Sequence, residues 1–489
     1  LIKRSKMEEN IKELKQKTIS GVFWRFGERI TAQVITFVVS MILARLILPE
    51  EYGVIAIVTI FINIANVLVT NGLGTSLIQK NDAGKKDFST MFYASMILSI
   101  CLYGILFILA PIIARIFNND MLISLLRVMG LRIPIAAINS IQQAYVAKKM
   151  IYKKFFFSTL FGTVISAIVG IFMAYNNFGV WALVGQYITN SVIDTVVLFL
   201  TIDWKPTLYF SYKRFKEMFS FGWKIMISSL IGAFFGQLRS LIIGGKYTSA
   251  DLAYYNKGDQ IPALITNNVN LTVESVFFST ISEIQNDIEK VKQTTRKILK
   301  MSCYIIMPLL LGLAAISESF VRLVLTEKWI SCVPFIQVFC FQYCFSIFGT
   351  VNLQSLKGIG KSDTILKLEF VKKPLFIIMI IVTMHINPFA IAIGGLIYDI
   401  IASFINSIPN WKYLNYSIQE QLMDLVPYFL ISLSMFVIVW MINFLNIGEV
   451  MKIIIQIIIG GGYYILISKV LKISCYNEII NILKSKKGK

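Results

Sequence analysis

Long apolar stretches and short polar interruptions alternate along the whole chain. Fourteen apolar windows can be marked, at 20–47, 53–74, 90–113, 121–147, 155–175, 179–202, 220–244, 258–281, 298–318, 332–356, 364–385, 388–408, 424–446 and 450–470. A helix of about 20 apolar residues covers the roughly 30 Å hydrocarbon core of a bilayer. The pattern therefore predicts an all-α integral membrane protein with about 14 transmembrane helices. Residues 1–19 form a charged N-terminal tail. Near the other end Ile473, Tyr476, Ile480 and Leu483 recur at helical spacing among lysines, which predicts an amphipathic helix over 471–489 lying on the membrane surface. No cleavable signal peptide is expected, because the first twenty residues are charged and polar.

The interruptions repeat. "LPEEYGVIA" follows the first window and "YTSADLAYYN" follows the seventh. "LAPIIARIF" closes the third as "LAAISESFVRLV" closes the ninth, and "QQAYVAKKMIYKKF" leaves the fourth much as "LQSLKGIGKSDTILKLE" leaves the tenth. "NNFGVWALVG" enters the sixth as "INPFAIAIGG" enters the twelfth. This reads as two diverged copies of a six-span unit, with both copies in the same orientation because six is even. The expected division is an N-terminal lobe at 20–202, a linker at 203–219, a second lobe at 220–408 and two extra spans within 424–470. The "PEEYG" interruption itself reads as hairpin chemistry. Arg45 snorkels to the interface, Pro49 cannot continue a helix, Glu50 and Glu51 favour a first turn, and Gly53 allows a tight turn.

Composition agrees. Of 489 residues 56% are hydrophobic and 15% charged, against about 25% charged in soluble domains. The net charge of +20 raises nucleic acid as a partner, but its distribution argues against one. With residues toward the span ends counted to the adjoining loop, 35 of the 47 Lys and Arg fall on one side, seven on the other, and five, all arginine, stay within the spans. By the positive-inside rule both termini are cytoplasmic and residues 48–52 and 245–257 face outward. The six cysteines lie mostly in or beside apolar windows, and His385 is the single histidine. No metal site, His-based catalysis, Gly-rich phosphate loop or Ser/His/Asp set can be assembled, so an enzyme is not expected, nor a cofactor beyond an H⁺ or Na⁺ coupling ion.

Polar residues inside apolar windows carry the functional signal. In the first window Arg25, Arg29, Gln33, Thr36 and Ser40 fall within about 80° of one helix face, with Glu28 beside them. Lys224, Ser228, Gly232, Gly236 and Arg239, with Gln237 nearby, make a comparable face in the seventh. Two such faces would wall a hydrated cavity; close helix packing through small and polar residues is the alternative. Five arginines lie within spans: Arg25, Arg29, Arg127, Arg132 and Arg239. Arg29 and Arg132 are the deepest, roughly 14 and 17 Å from a span end at 1.5 Å per residue. Each costs about 2.5–3.5 kcal/mol on insertion scales unless compensated. A permanently charged, forked guanidinium suits phosphate. Glu28, Asp194, Glu274 and Asp399 are candidates for ion coupling or for counter-ions to the arginines. Asn63 and Asn66 match Asn267 and Asn270 at an offset of 204 and are candidates for the same cavity lining.

"WRFGERITAQVITFVVSMILARLILPEEYGVIA" (24–56), "NGLGTSLIQKND" (71–82), "QQAYVAKKMIYKKF" (142–155) and "NNFGVWALV" (176–184), with the fourteen-span layout, resemble the Wzx-type polysaccharide flippases of the multidrug/oligosaccharidyl-lipid/polysaccharide exporter superfamily. The resemblance implies a V-shaped, two-lobed transporter in the bacterial plasma membrane that flips undecaprenyl-diphosphate-linked oligosaccharides by alternating access with cation antiport. It implies cavity roles for Arg25, Arg29 and Arg239, and places Arg127 and Arg132 less firmly. Partners implied are the lipid-linked glycan, membrane lipids and other polysaccharide assembly proteins, a polymerase among them. A lipid II flippase or multidrug exporter of the same superfamily, or an integral-membrane polymerase of another class, is the competing reading.

Overall fold

The computed structural model describes the backbone of residues 2–80 and 82–487 and the side chains of 20–21, 24–80, 82–271, 273–274, 277 and 280–481. Among the described residues all regular structure is helical. The α-helices are α1 (Ile2–Leu46), α2 (Pro49–Thr70), α3 (Leu73–Gln79), α4 (Lys85–Ile116), α5 (Met121–Met129), α6 (Arg132–Lys149), α7 (Tyr152–Tyr175), α8 (Val180–Thr201) and α9 (Tyr212–Lys246). They continue with α10 (Ser249–Ile284), α11 (Ile288–Val324), α12 (Val333–Gly358), α13 (Ser362–Thr383), α14 (Pro388–Leu414), α15 (Ile418–Met441), α16 (Glu449–Val470) and α17 (Ser474–Lys487).

Twelve segments of this set are long and apolar enough to cross a membrane among the described residues. This is a multi-pass, all-α membrane protein. The two remaining apolar windows, 258–281 and 364–385, lie in α10 and α13, helices of 36 and 22 residues. The N-terminal tail continues α1 without a break. The expected tail helix is α17, although the Leu483 side chain lies outside the described residues.

Two windows expected as single helices are divided. After α2 the chain is extended at Asn71, and Gly72 takes a φ of 116°, open to glycine. The chain then re-enters helix as α3. A side chain on Gly72 would also stand 2.6 Å from the Gly222 carbonyl oxygen, so the junction between α2 and α3 meets α9 backbone to backbone there. The fourth window is divided at Gly130–Leu131, where both residues keep right-handed helical angles but Leu131 and Ile133 bond three residues back instead of four. Gly130 lies against the Tyr103 ring, where a Cβ would come within 2.9 Å.

Gly53 does not serve a turn, as the sequence suggested. It lies within α2 and permits close approach, since a methyl on it would overlap the Ser249 backbone. Pro49 occupies the first turn, and the Glu51 carboxylate accepts from the Leu48 amide at 3.2 Å. The same carboxylate accepts from the Val180 amide at 3.1 Å and so caps α8 as well.

The helices form two compact units, 1–252 and 253–489. In the first, α1 packs on α7, α7 on α8, and α6 on α2, α4 and α8; α9 packs on α2, α3 and α4. Between α7 and α8 small residues allow this: a Cβ on Gly162 would stand 3.2 Å from the Asn190 carbonyl, and one on Gly170 2.9 Å from Gln186 Cβ. Trp204, Phe88, Leu73, Leu77, Leu198 and Met218 form a core near one end. Beside it Asp87, 1% exposed, accepts from Arg214 at 2.9 Å, Lys80 at 3.2 Å and the Gly84 amide at 2.9 Å. Lys80 also reaches Glu217 at 3.2 Å. Burial would lower the Lys80 pKa, but its two carboxylate partners outweigh that and hold it above the ordinary value.

In the second unit α11 packs on α12, α15 and α16, and α14 on α12 and α13. Its ionic knot is Asp424, 5% exposed, which takes a forked pair from Arg296 at 2.7 and 3.0 Å. Lys300 at 2.9 Å and the Tyr416 hydroxyl at 2.8 Å complete it. Each buried carboxylate is thus neutralised by two cations, the arrangement that makes such burial tolerable.

Candidate functional site

The first unit holds a polar seam inside its membrane-spanning helices. After the break at Gly130–Leu131, α6 starts at Arg132, and Arg132, Asn139 and Gln143 follow at intervals of seven and four, on one face. On α8, Tyr187, Ser191, Asp194 and Thr195 lie opposite. Arg132 Nε donates to Ser191 Oγ at 3.0 Å, and its guanidinium sits 5.1 Å from the Tyr187 ring centroid. Asn139 Nδ2 donates to Asp194 Oδ2 at 2.9 Å and to Thr195 Oγ1 at 3.2 Å, and Gln143 donates back to Asn139. Asp194 Oδ1 is left buried with no hydrogen-bond partner among the described residues. The neighbouring Ser158 hydroxyl donates to the Phe155 carbonyl at 2.9 Å instead.

Glu28 of α1 belongs to the same neighbourhood. It stands beside Thr159 of α7, within electrostatic reach of Arg25, Asp194 and Arg29. Two intramembrane carboxylates and two cations thus gather around α1, α7 and α8.

The arginines divide by surroundings. Arg25 lies 4.9 Å from the Phe155 ring and 5.8 Å from that of Tyr152. Arg29 is exposed and makes no ion pair or hydrogen bond among the described residues. Arg132 is held in the seam. Arg127 lies instead against α4, its guanidinium 4.2 Å from the Phe107 ring and its Nε buried without a hydrogen-bond partner among the described residues. Arg239 is half-buried on α9, on a face where side chains added at Gly232 and Gly236 would meet open space. Gln33 and Gln237 are half-buried on α1 and α9.

The asparagine pairs behave alike. Asn63 and Asn267 are exposed, while Asn66 and Asn270 each keep a buried Oδ1 without a partner among the described residues.

The second unit repeats the amide-to-carboxylate contact. Gln342 Nε2 of α12 donates to Asp399 Oδ2 of α14 at 2.6 Å. Gln342 and Asp399 follow Asn139 and Asp194 by 203 and 205 positions, within the drift of the sequence repeat. Tyr343 donates to Asp259 at 2.6 Å. Glu274 is half-buried and forms no ion pair among the described residues. Asn139, Tyr187, Ser191, Gln342, Tyr343 and Asp259 were not singled out by sequence. Their one signal there was the interval of four between Asn139 and Gln143.

The described residues hold no cluster of three or more His, Cys, Asp or Glu suited to a metal ion.

A family model described as "Polysaccharide biosynthesis protein" matches residues 42–334. The chain belongs to that family. It is 26% identical over 81% of its length to the lipopolysaccharide biosynthesis protein WzxC of Escherichia coli (strain K12), covering 80% of that protein. It is 23% identical over 71% of its length to the teichuronic acid biosynthesis protein TuaB of Bacillus subtilis (strain 168), covering 72% of it. Among solved structures it is similar to the lipid II flippase MurJ in an inward closed conformation, with a TM-score of 0.74, 15% identity and coverage of 92% of this chain and 100% of that one. That likeness shows that this chain has the same fold as that protein. The family and fold are those of transporters, not of catalytic enzymes.

Proposed function

We propose that this protein is a flippase for undecaprenyl-diphosphate-linked oligosaccharide repeat units, acting in the bacterial plasma membrane during assembly of a surface polysaccharide. Both termini are cytoplasmic in this reading, and the two six-span repeats at 20–202 and 220–408 work by alternating access. The observation that carries it is Arg29, a permanent cation on an apolar span, exposed and without an ion-pair partner among the described residues. Lipid would charge about 2.5–3.5 kcal/mol for that position. Water and a passing diphosphate remove the penalty, and the guanidinium fork matches phosphate oxygens. Arg25, a turn away, and Arg239 on α9 extend the cationic path. Gln33, Asn63, Asn66, Gln237, Asn267 and Asn270 supply hydrogen bonds to sugar hydroxyls.

Coupling falls to the carboxylates. Asp194 has one oxygen bonded to Asn139 and the Ser158 hydroxyl beside it, so it can take up a proton or share a cation and give it back. Glu28, near it and near Arg25 and Arg29, ties that event to the substrate path. Asp399, bonded to Gln342, and Glu274 are the second-unit counterparts. Polymerase and other assembly proteins would receive the flipped unit.

The test is deletion in a polymer-producing host. Lipid-linked repeat units should accumulate on the cytoplasmic leaflet and polymer should vanish, both reversed by the restored gene. Normal polymer in the deletion strain overturns the proposal.

A further inference from the structure

α13 and α14 pack against each other in the second unit, and their lysine-rich ends lie together. There the Thr364 and Tyr413 hydroxyls are 3.2 Å apart. Lys361 Nζ lies 5.2 Å from the Tyr413 ring centroid and Lys412 Nζ 6.0 Å from it. Lys367 is close enough to act on the same phenol electrostatically. None of the three lysines forms an ion pair among the described residues. The nearby Glu369 is already taken by Lys372 and Lys373. Asp363, in the first turn of α13, is exposed and pairs with none of the three.

Three like charges around one phenol repel one another, and no carboxylate among the described residues pairs with them. The mutual repulsion is removed by an anion placed among them. The apolar surroundings indicate which anion. Leu366, Phe370 and Val371 on α13 are 59%, 72% and 58% exposed, and Ile408 and Trp411 on α14 are 50% and 62% exposed. Apolar surface running from a basic cluster at a membrane interface suits acyl chains, and an exposed tryptophan at that level suits the headgroup boundary.

We infer that Lys361, Lys367, Lys412, Thr364 and Tyr413 form a binding site for the phosphodiester headgroup of an anionic phospholipid, whose chains lie on the exposed apolar residues of α13 and α14. The lysines neutralise the phosphate while the two hydroxyls donate to its oxygens. The site is separate from the arginine path and does not depend on what that path carries.

Trp411 reports on it directly. The purified full-length protein is reconstituted with brominated phosphatidylglycerol or brominated phosphatidylcholine, and the W411F variant is subtracted to isolate the Trp411 signal. Quenching should favour phosphatidylglycerol by about tenfold in apparent affinity, given attraction of this order from lysines near anionic headgroups. The preference should disappear in K361Q/K367Q/K412Q and survive in K412R. Y413F, which leaves every charge in place, should weaken it; this variant decides the matter where the triple variant does not fold. Equal quenching by both lipids, or a preference unchanged in the triple variant and in Y413F, overturns the inference. Abolition of the preference by millimolar inorganic phosphate at constant ionic strength assigns the site to a soluble anion and overturns it too.

Discussion

Gly53 of α2 lies directly on the backbone of Ser249, the first residue of α10, with no room for a methyl group between them. These residues belong to the two corresponding interruptions, "PEEYG" and "YTSADLAYYN", so the paired punctuation of the sequence is also a point of contact. Both interruptions cap their own helix in the same way. Glu51 accepts from the Leu48 amide, and Asp251, 200 positions on, accepts from the Thr248 amide at 3.1 Å. Gly53→Ala must push the two backbones apart, and overpacking of this kind typically costs about 1–3 kcal/mol. The expected result is a thermal midpoint lowered by several degrees in detergent, whereas Gly104→Ala, at a position with open space, leaves it unchanged. Equal midpoints for the two variants would refute the contact.

Glu51 joins two helices that are far apart in sequence. Its carboxylate serves the amides at the starts of α2 and α8, Leu48 and Val180. Glu51→Ala leaves both caps unmade, at about 1 kcal/mol each. Glu51→Gln keeps a single acceptor oxygen and should fall between the wild type and Glu51→Ala in thermal unfolding. A Gln variant as unstable as the Ala variant would show that charge, not acceptor count, sets the effect.

Much of this fold was legible because lipid imposes a strict rule: apolar windows of membrane length become helices. The break between α5 and α6 was not legible. Glycine within an apolar run signals nothing by itself, and Gly130 matters only because Tyr103 of α4 lies against it. Gly53 was misread for the same reason, since a turn and a close approach leave the same residue in the sequence. The intramembrane arginines were found, but not their partners, and Asp259, which accepts from Tyr343, was passed over at the edge of its window. Arg132 and Asp194 stand out in any reading, whereas Ser191 and Asn139 look ordinary until α6 and α8 are known to face each other.

Asp194→Asn separates structure from coupling. The substitution preserves shape, and the Asn139 amide retains an oxygen to bond. Removing a buried charge while keeping its hydrogen bond is close to neutral for stability, or favourable. The variant should therefore accumulate in membranes at the wild-type level and unfold at or above the wild-type midpoint. If the carboxylate moves an ion during transport, polymer export should nonetheless fall at least tenfold. Wild-type export from cells expressing Asp194→Asn would reduce Asp194 to a structural role and leave coupling to Glu28 or the second unit.

Arg29 offers the most direct test of the substrate path. Because it is exposed and bonded to nothing among the described residues, Arg29→Ala removes no packing and leaves no buried partner stranded. Insertion should be unaffected, and stability should change by no more than the roughly 0.5 kcal/mol usual for a surface position. Polymer export should be abolished, with repeat units accumulating on the cytoplasmic leaflet. Arg29→Lys distinguishes two ways of holding a diphosphate. A point charge alone suffices if the site only attracts, and the lysine variant then exports nearly normally. If the planar fork grips two oxygens at once, lysine restores only a small part of the flux. Membrane-level quantification of each variant beside polymer yield makes the comparison, and normal yield from Arg29→Ala would remove this residue from the translocation path altogether.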